Sequence, residues 1–218
     1  MLQPCLAFFS LAILLTGCSH GTVKGKVGGE TVPAMTEGLW VSFDFTGTQT
    51  VLLLATTIPD ACEAYTGYAE QQAEAIAQYV QDFDAARLEV AFNEAERANL
   101  PEEYWSETLV VLPGSMGDVP GDYSLGEAFV DEAAFLVGHV TGYTDYTGAF
   151  TGEGEVSADG QQFTASSGVA TVEDFEDEKG MSASGDADMV DEAGTDAGSV
   201  TWTLSGDWCE GYDDAING

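Results

Sequence analysis

The scarcest reactive side chains in this 218-residue chain are its two histidines, His20 beside Cys18 and His139 within Phe135-Leu136-Val137-Gly138-His139-Val140. A Ser-His-Asp relay has to use His139, and a histidine in an apolar strand is ordinarily a hydrogen-bonded sheet residue. The chain holds no G-x-S-x-G elbow, no H-E-x-x-H helix, no P-loop and no complete G-x-G-x-x-G. Carboxylate pairs of the glycosidase type are everywhere available and therefore cannot be chosen. Acidity is the dominant chemical feature, with 38 Asp and Glu against 5 Lys and Arg for a net charge of −33. Such a charge argues against binding nucleic acid or an anionic lipid surface through the folded domain.

Two ligand readings compete with a merely solvated acidic surface. Ca²⁺ takes six to eight oxygen ligands, largely carboxylates and carbonyls. The segment from Glu173 to Asp196 is the densest in acid, and Asp186, Asp188, Asp191 and Glu192 are its candidate ligands. No EF-hand loop is legible there, because Asp186-Ala187-Asp188 lacks the third ligand, the glycine and the closing glutamate. Aromatic side chains suggest stacking platforms for a glycan. Trp40 and Trp202 lie in expected strands, where packing is the default. Trp105 and the loop carrying Tyr143 and Tyr146 are the expected exposed platforms.

The cysteines set the address. Leu15-Thr16-Gly17-Cys18 closes an apolar run too short to span a bilayer but of signal-peptide length. It resembles a bacterial lipobox, which implies removal of residues 1–17 and lipidation of Cys18. Several acyl chains, each contributing about 0.8 kcal/mol per buried CH₂, anchor a protein firmly where one chain is marginal. By the sorting pattern of such proteins, Ser19 after the lipid-bearing cysteine implies the outer membrane, with the leaflet open. Cys62 and Cys209 then remain, an even pair that in an oxidising envelope reads as a disulfide. Two free thiols or a metal pair are the alternatives, and with two histidines in the chain a zinc site is poorly supplied.

The elements that must position these residues are mostly strands. Gly21–Gly28 reads as a thin edge strand. Leu39–Phe45 alternates with period two and turns near Gly47 into Val51–Ala55, apolar enough for burial on both faces. Pro59-Asp60 breaks the chain, with Asp60 as N-cap for an amphipathic helix over about 62–82. Its stripe of Ala69, Ala73, Ile76, Val80 and Phe83 is expected to dock against the sheet. Leu88, Val90 and Phe92 recur every second residue, so a strand is expected through Phe92, with a helix over 84–98 as the alternative. Strands follow at Glu107–Leu112, after Val119–Tyr123 and at Ala134–Thr141. Asp159-Gly160 signals a hairpin between Glu153–Ser157 and Gln161–Ser166. Gly168–Val172, Met181–Met189 and Ser199–Gly206 complete a meander that delivers Cys209 to the Cys62 end of the helix.

A lipobox, a Gly-x-Val-x-Gly opening, a cysteine just after the third strand, the Pro120-Gly121-Asp122-Tyr123 entry and a terminal meander ending Trp208-Cys209 together resemble small bacterial envelope lipoproteins. The resemblance implies an all-β domain stapled by a first-to-last cysteine pair, and no activity. The expected organisation is a signal peptide over 1–17, a lipidated terminus and first strand over 18–30, and one acidic domain over 31–218. That domain is expected to be mainly β, an antiparallel sandwich or barrel-like meander carrying one packed helix. The expected role is non-enzymatic, in binding or envelope structure, with a membrane held through the lipid and the protein or glycan partner open. The alternative is a calcium-dependent or carboxylate-based hydrolase or carbohydrate-binding domain.

Overall fold

The computed structural model describes residues 20–45, 47–126 and 131–217, so the lipobox, the signal segment and Cys18 lie outside the described residues. The fold is mainly β. Strands β1 (Gly21–Lys24), β2 (Glu37–Phe45) and β3 (Thr48–Thr56) precede helices α1 (Ala61–Asp82) and α2 (Ala85–Asn99). After them come β4 (Tyr104–Val111), β5 (Gly121–Ser124), β6 (Ala133–Val140), β7 (Gly160–Glu176), β8 (Gly180–Asp191), β9 (Asp196–Trp208) and the short α3 (Glu210–Asn217).

The strand pairings close on themselves. Antiparallel neighbours run β2·β3·β4·β6·β7·β8·β9, and β9 returns to β2 through a parallel seam at Leu39/Asp207 and Trp40/Trp208. β1 extends the β9 side of the seam and β5 extends β7. Closure removes the unpaired strand edges that invite aggregation. Glycines permit the seam: a Cβ on Gly206 would lie 2.6 Å from the Leu39 nitrogen, and one on Gly38 would meet the Ser205 carbonyl. The named strands thus pair antiparallel as expected except at this closure, and a single bridge between Leu125 and Ala133 is also parallel.

Period-two alternation explains the interior. Trp40, Leu53, Leu109, Phe135, Phe163, Met189 and Trp202 point inward and fill the barrel with a continuous core. Trp202 stacks on Phe135 at 4.4 Å, and Trp40 meets Phe175 and Trp208 at 5.0 and 4.4 Å. The outward residues of the β2/β3 hairpin, Leu39, Val41 and Leu54, join Ile58, Ala61, Leu100 and Cys209 in a second apolar cluster. Val51–Ala55 is therefore covered on both faces as read from its composition, with Val51, Leu53 and Ala55 inside and Leu52 and Leu54 outside.

Cys62 and Cys209 form the disulfide, with Cα atoms 5.6 Å apart and 147 residues between them in sequence. It ties the first turn of α1 to the residue after β9. Cys209 also donates its backbone N–H to Trp40 O at 3.2 Å, directly beyond the parallel seam.

Several expectations are corrected. Residues 85–99 form a helix and not a strand. Asp84 accepts the Arg87 N–H at the N-cap, and Leu88, Glu89, Ala95 and Glu96 share one buried face at helical spacing. The β-like repeat of Leu88, Val90 and Phe92 loses to this cap, and Val90 is left exposed. Among the described residues three α-helices are present where one was expected. Asp60 sits at the α1 N-cap position, but at φ 52° with no side-chain cap bond. The α1 stripe does not dock on the sheet: Ile76, Val80 and Phe83 are exposed, because only Ala61, Ala64, Tyr65 and Tyr68 reach the second cluster before the helix leaves the barrel. Finally, residues 153–157 form no strand, whereas 160–176 form a single one. Register shifts near Ser167 and Asp174 let β7 bend without ending.

Candidate functional site

Three regions gather the chemistry-bearing residues. At one mouth of the barrel, inward positions of β4 and β6 pair Trp105 with His139, whose rings stack at 4.1 Å and 11°. Trp105 is thus a half-buried strand residue with one face covered, not an open platform. The strand pairing that fixes it also sets its backbone, with Thr56 Oγ1 donating to Trp105 O and Trp105 N donating to Thr57 Oγ1. His139 stands between two carboxylates, with Nδ1 3.4 Å from Glu30 and Nε2 3.5 Å from Glu103. Among the described residues no hydroxyl or thiol hydrogen-bonds to either ring nitrogen, so no activated nucleophile stands there.

One step deeper on the same face of β4 lies Glu107, fully buried, and neither of its carboxyl oxygens finds a hydrogen bond. Its Oε2 packs against the α-carbon side of Gly21, where a Cβ would come within 2.7 Å. Burial alone pushes this carboxyl up to about 8, so it is largely protonated at neutral pH. The sequence carried the signal: Glu107, Leu109 and Val111 share one face at period two, which places an acid among apolar residues.

The second region is the underside of α2. Glu89 accepts the N–H groups of Gly148, Phe150 and Thr151, each at 2.9 Å. Asn93 accepts Tyr146 N at 3.1 Å, and Glu96 Oε1 accepts both Thr144 N and Thr144 Oγ1 at 3.0 Å. Spacings of four and three put these side chains on one helix face, which grips residues 143–151. A strand reading of this segment hides that face. Tyr143 and Tyr146 are consequently packed: Arg97 lies 5.8 Å over the Tyr143 ring, and Tyr146 meets Phe92 edge-on at 5.3 Å. Tyr146 also shares a hydroxyl contact with Tyr68, which accepts from Gln72. Burial raises Tyr68 above the phenol range and pushes Tyr104 up to about 12.

The Gly148 amide, aided by those of Thr151 and Phe150, holds the Glu89 carboxyl below the usual carboxylate range against the opposing effect of burial. A depressed folded-state value means that this stabilisation is complete above the ordinary carboxylate range and is lost as pH falls through the lowered value. Glu89→Gln is therefore expected to speed amide exchange at Gly148, Phe150 and Thr151 by roughly tenfold or more at pH 7, since charge-assisted bonds exceed neutral ones. Wild-type protein should reach the same exchange only in acid. Equal exchange in both proteins at pH 7 would show that the loop is held by other contacts.

The third region is the acidic outer face of β8. Asp186 and Asp188 point outward two residues apart, and Asp188 accepts the Ser167 and Ser199 hydroxyls, which hold it below its ordinary value. Asp191 accepts Ala193 N and Thr195 N and so shapes the β8/β9 turn, on which Glu192 is exposed. Strand geometry spreads these side chains along the sheet. Among the described residues no group of three or more His, Cys, Asp or Glu side chains is arranged to hold a metal ion.

The class defined by these features is an acidic, disulfide-stapled, closed β-barrel with a helical hairpin at its side. No protein-family model, no curated protein and no solved structure matches the chain.

Proposed function

We propose that this chain is an outer-membrane lipoprotein, tethered through Cys18, whose barrel serves the envelope by binding or by structure and not by catalysis. The observation that carries this reading is how near to Cys18 in sequence the barrel is pinned. His20 donates its N–H to Met35 O at 2.9 Å and accepts Ser205 N–H at 2.7 Å, so the barrel is pinned two residues after the lipobox cysteine. Two extended residues reach about 7 Å. A lipid on Cys18 therefore seats the barrel against the membrane surface with almost no leash. The end that faces the membrane is then an open depression of about 1100 Å³ around His20, Glu176, Lys179 and Asp207. The Cys62–Cys209 bridge supports an oxidising compartment, where such bonds persist.

Mass spectrometry of protein extracted from native membranes is expected to find an N-terminal Cys18 carrying acyl chains. Replacing residues 1–18 with a cleavable secretory signal that carries no lipobox should move the protein from the membrane to the soluble fraction while leaving its thermal midpoint unchanged. Recovery of residues 1–17 with no acyl mass on that sulfur would overturn the tether.

A further inference from the structure

We propose that the exposed apolar face of the α1/α2 hairpin docks an amphipathic helical segment with basic flanks, contributed by a partner protein. The inference rests on the binding role proposed above and names its surface and partner chemistry.

The face is built by spacing. At about 100° per residue, Ala69, Ala73, Ile76 and Val80 fall within an arc of about 60° on α1, and Phe83 follows at the C-cap with φ 56°. Ile76 is 48%, Val80 62% and Phe83 74% exposed. Among the described residues the second apolar cluster takes α1 residues only as far as Tyr68, and the outer part of this stripe lies outside it. A contiguous apolar stripe at i, i+4 and i+7 on a projecting helix is the form in which an amphipathic helix is recognised. Exposed apolar surface of this kind marks an interaction site.

Charge selects the occupant. Between residues 61 and 99 the chain carries eight carboxylates and two arginines. Arg87 at the hairpin tip is already paired with Asp82 at 2.9 Å, and Arg97 lies over Tyr143. Exposed Glu70 flanks the stripe, three residues before Ala73, and exposed Asp84 closes its outer end beyond Phe83. A second copy would bring another chain of net charge −33 against this rim, and an anionic bilayer would bring phosphates. A segment with leucine-like anchors and lysine or arginine flanks satisfies both the stripe and its border.

The test uses the full lipidated chain in zwitterionic nanodiscs, with empty discs as blank. The probe is a labelled 18-residue leucine/lysine amphipathic peptide, and its leucine/glutamate counterpart is the control. The lysine peptide should bind above the blank, weaken in 0.5 M NaCl and lose at least tenfold in affinity to the Ile76→Gln/Val80→Gln/Phe83→Gln variant. A mutation-free measurement accompanies it: the peptide should slow amide exchange within residues 69–83. Equal binding to wild type and a folded variant overturns the proposal. So does equal binding of the two peptides, and so does sedimentation showing that wild-type chains associate through these residues. Acyl mass on Cys18 is read from the same sample, so failure of the tether and failure of the docking face are told apart.

Discussion

Glu107→Gln is expected to stabilise the protein strongly in alkali and hardly at all in mild acid. The wild-type carboxyl is buried without a partner and titrates near 8, against an ordinary value of 4.5. For an acid whose folded-state value is raised, the sign runs opposite to that of Glu89. Below the ordinary value the group is protonated in both states and costs nothing on this account. As pH rises from there to about 8, the unfolded chain ionises first, and folding must hold or restore a proton. A shift of this size corresponds to a penalty on the order of 4–5 kcal/mol above pH 8, at about 1.4 kcal/mol per pH unit. The glutamine variant, which cannot ionise, should therefore melt roughly 10 °C higher than wild type at pH 9, at about 2–4 °C per kcal/mol for a chain of this size. At pH 5 the two midpoints should nearly coincide, because each buries a neutral polar head. A variant whose midpoint tracks wild type from pH 5 to 9 would show that Glu107 is solvated or paired in the native protein.

That acid was readable from the sequence, whereas the clamp formed by α2 was not. Leu109 and Val111 at period two announce the inward face of β4, and Glu107 sits on it. Glu89, Asn93 and Glu96 act together only if residues 85–99 are helical. The segment offers a strand period through Leu88, Val90 and Phe92 and a helix period through Leu88, Phe92 and Ala95, and the Asp84 cap together with the tertiary contacts of 143–151 separates them. The same ambiguity displaced the aromatic residues. Tyr143 and Tyr146 look free in a loop until a helix with acceptors on its underside stands behind them. Conversely, the hairpin of β2 and β3, the meander from β7 to β9 and the meeting of Cys62 with Cys209 follow from alternation, turn residues and cysteine parity, which are local signals. Barrel closure is not local. It rests on Gly38 and Gly206 allowing two distant strands to approach, and nothing in either strand alone declares it.

Removing the bridge, by Cys62→Ser with Cys209→Ser or by reduction, is expected to cost about 2–5 kcal/mol. The chain-entropy account alone gives on the order of 5 kcal/mol for a loop of 147 residues. The thermal midpoint should fall by roughly 5–15 °C. The location predicts where the loss is felt. β2 and β9 share only two paired positions, Leu39/Asp207 and Trp40/Trp208, and the bridge begins at the next residue of β9's chain. By contrast, β7 and β8 pair along most of their length. The parallel seam, α3 and the first turn of α1 should therefore gain amide exchange before the β7/β8 ladder does. The docking of α3 through Asp213 and Asn217 onto Ser42 should loosen with them. Identical midpoints for oxidised and reduced protein would sink this account. Uniform loss of protection across all strands would instead place the weak point of the barrel away from the seam, since a staple beside the closure can spare only the ladders it does not support.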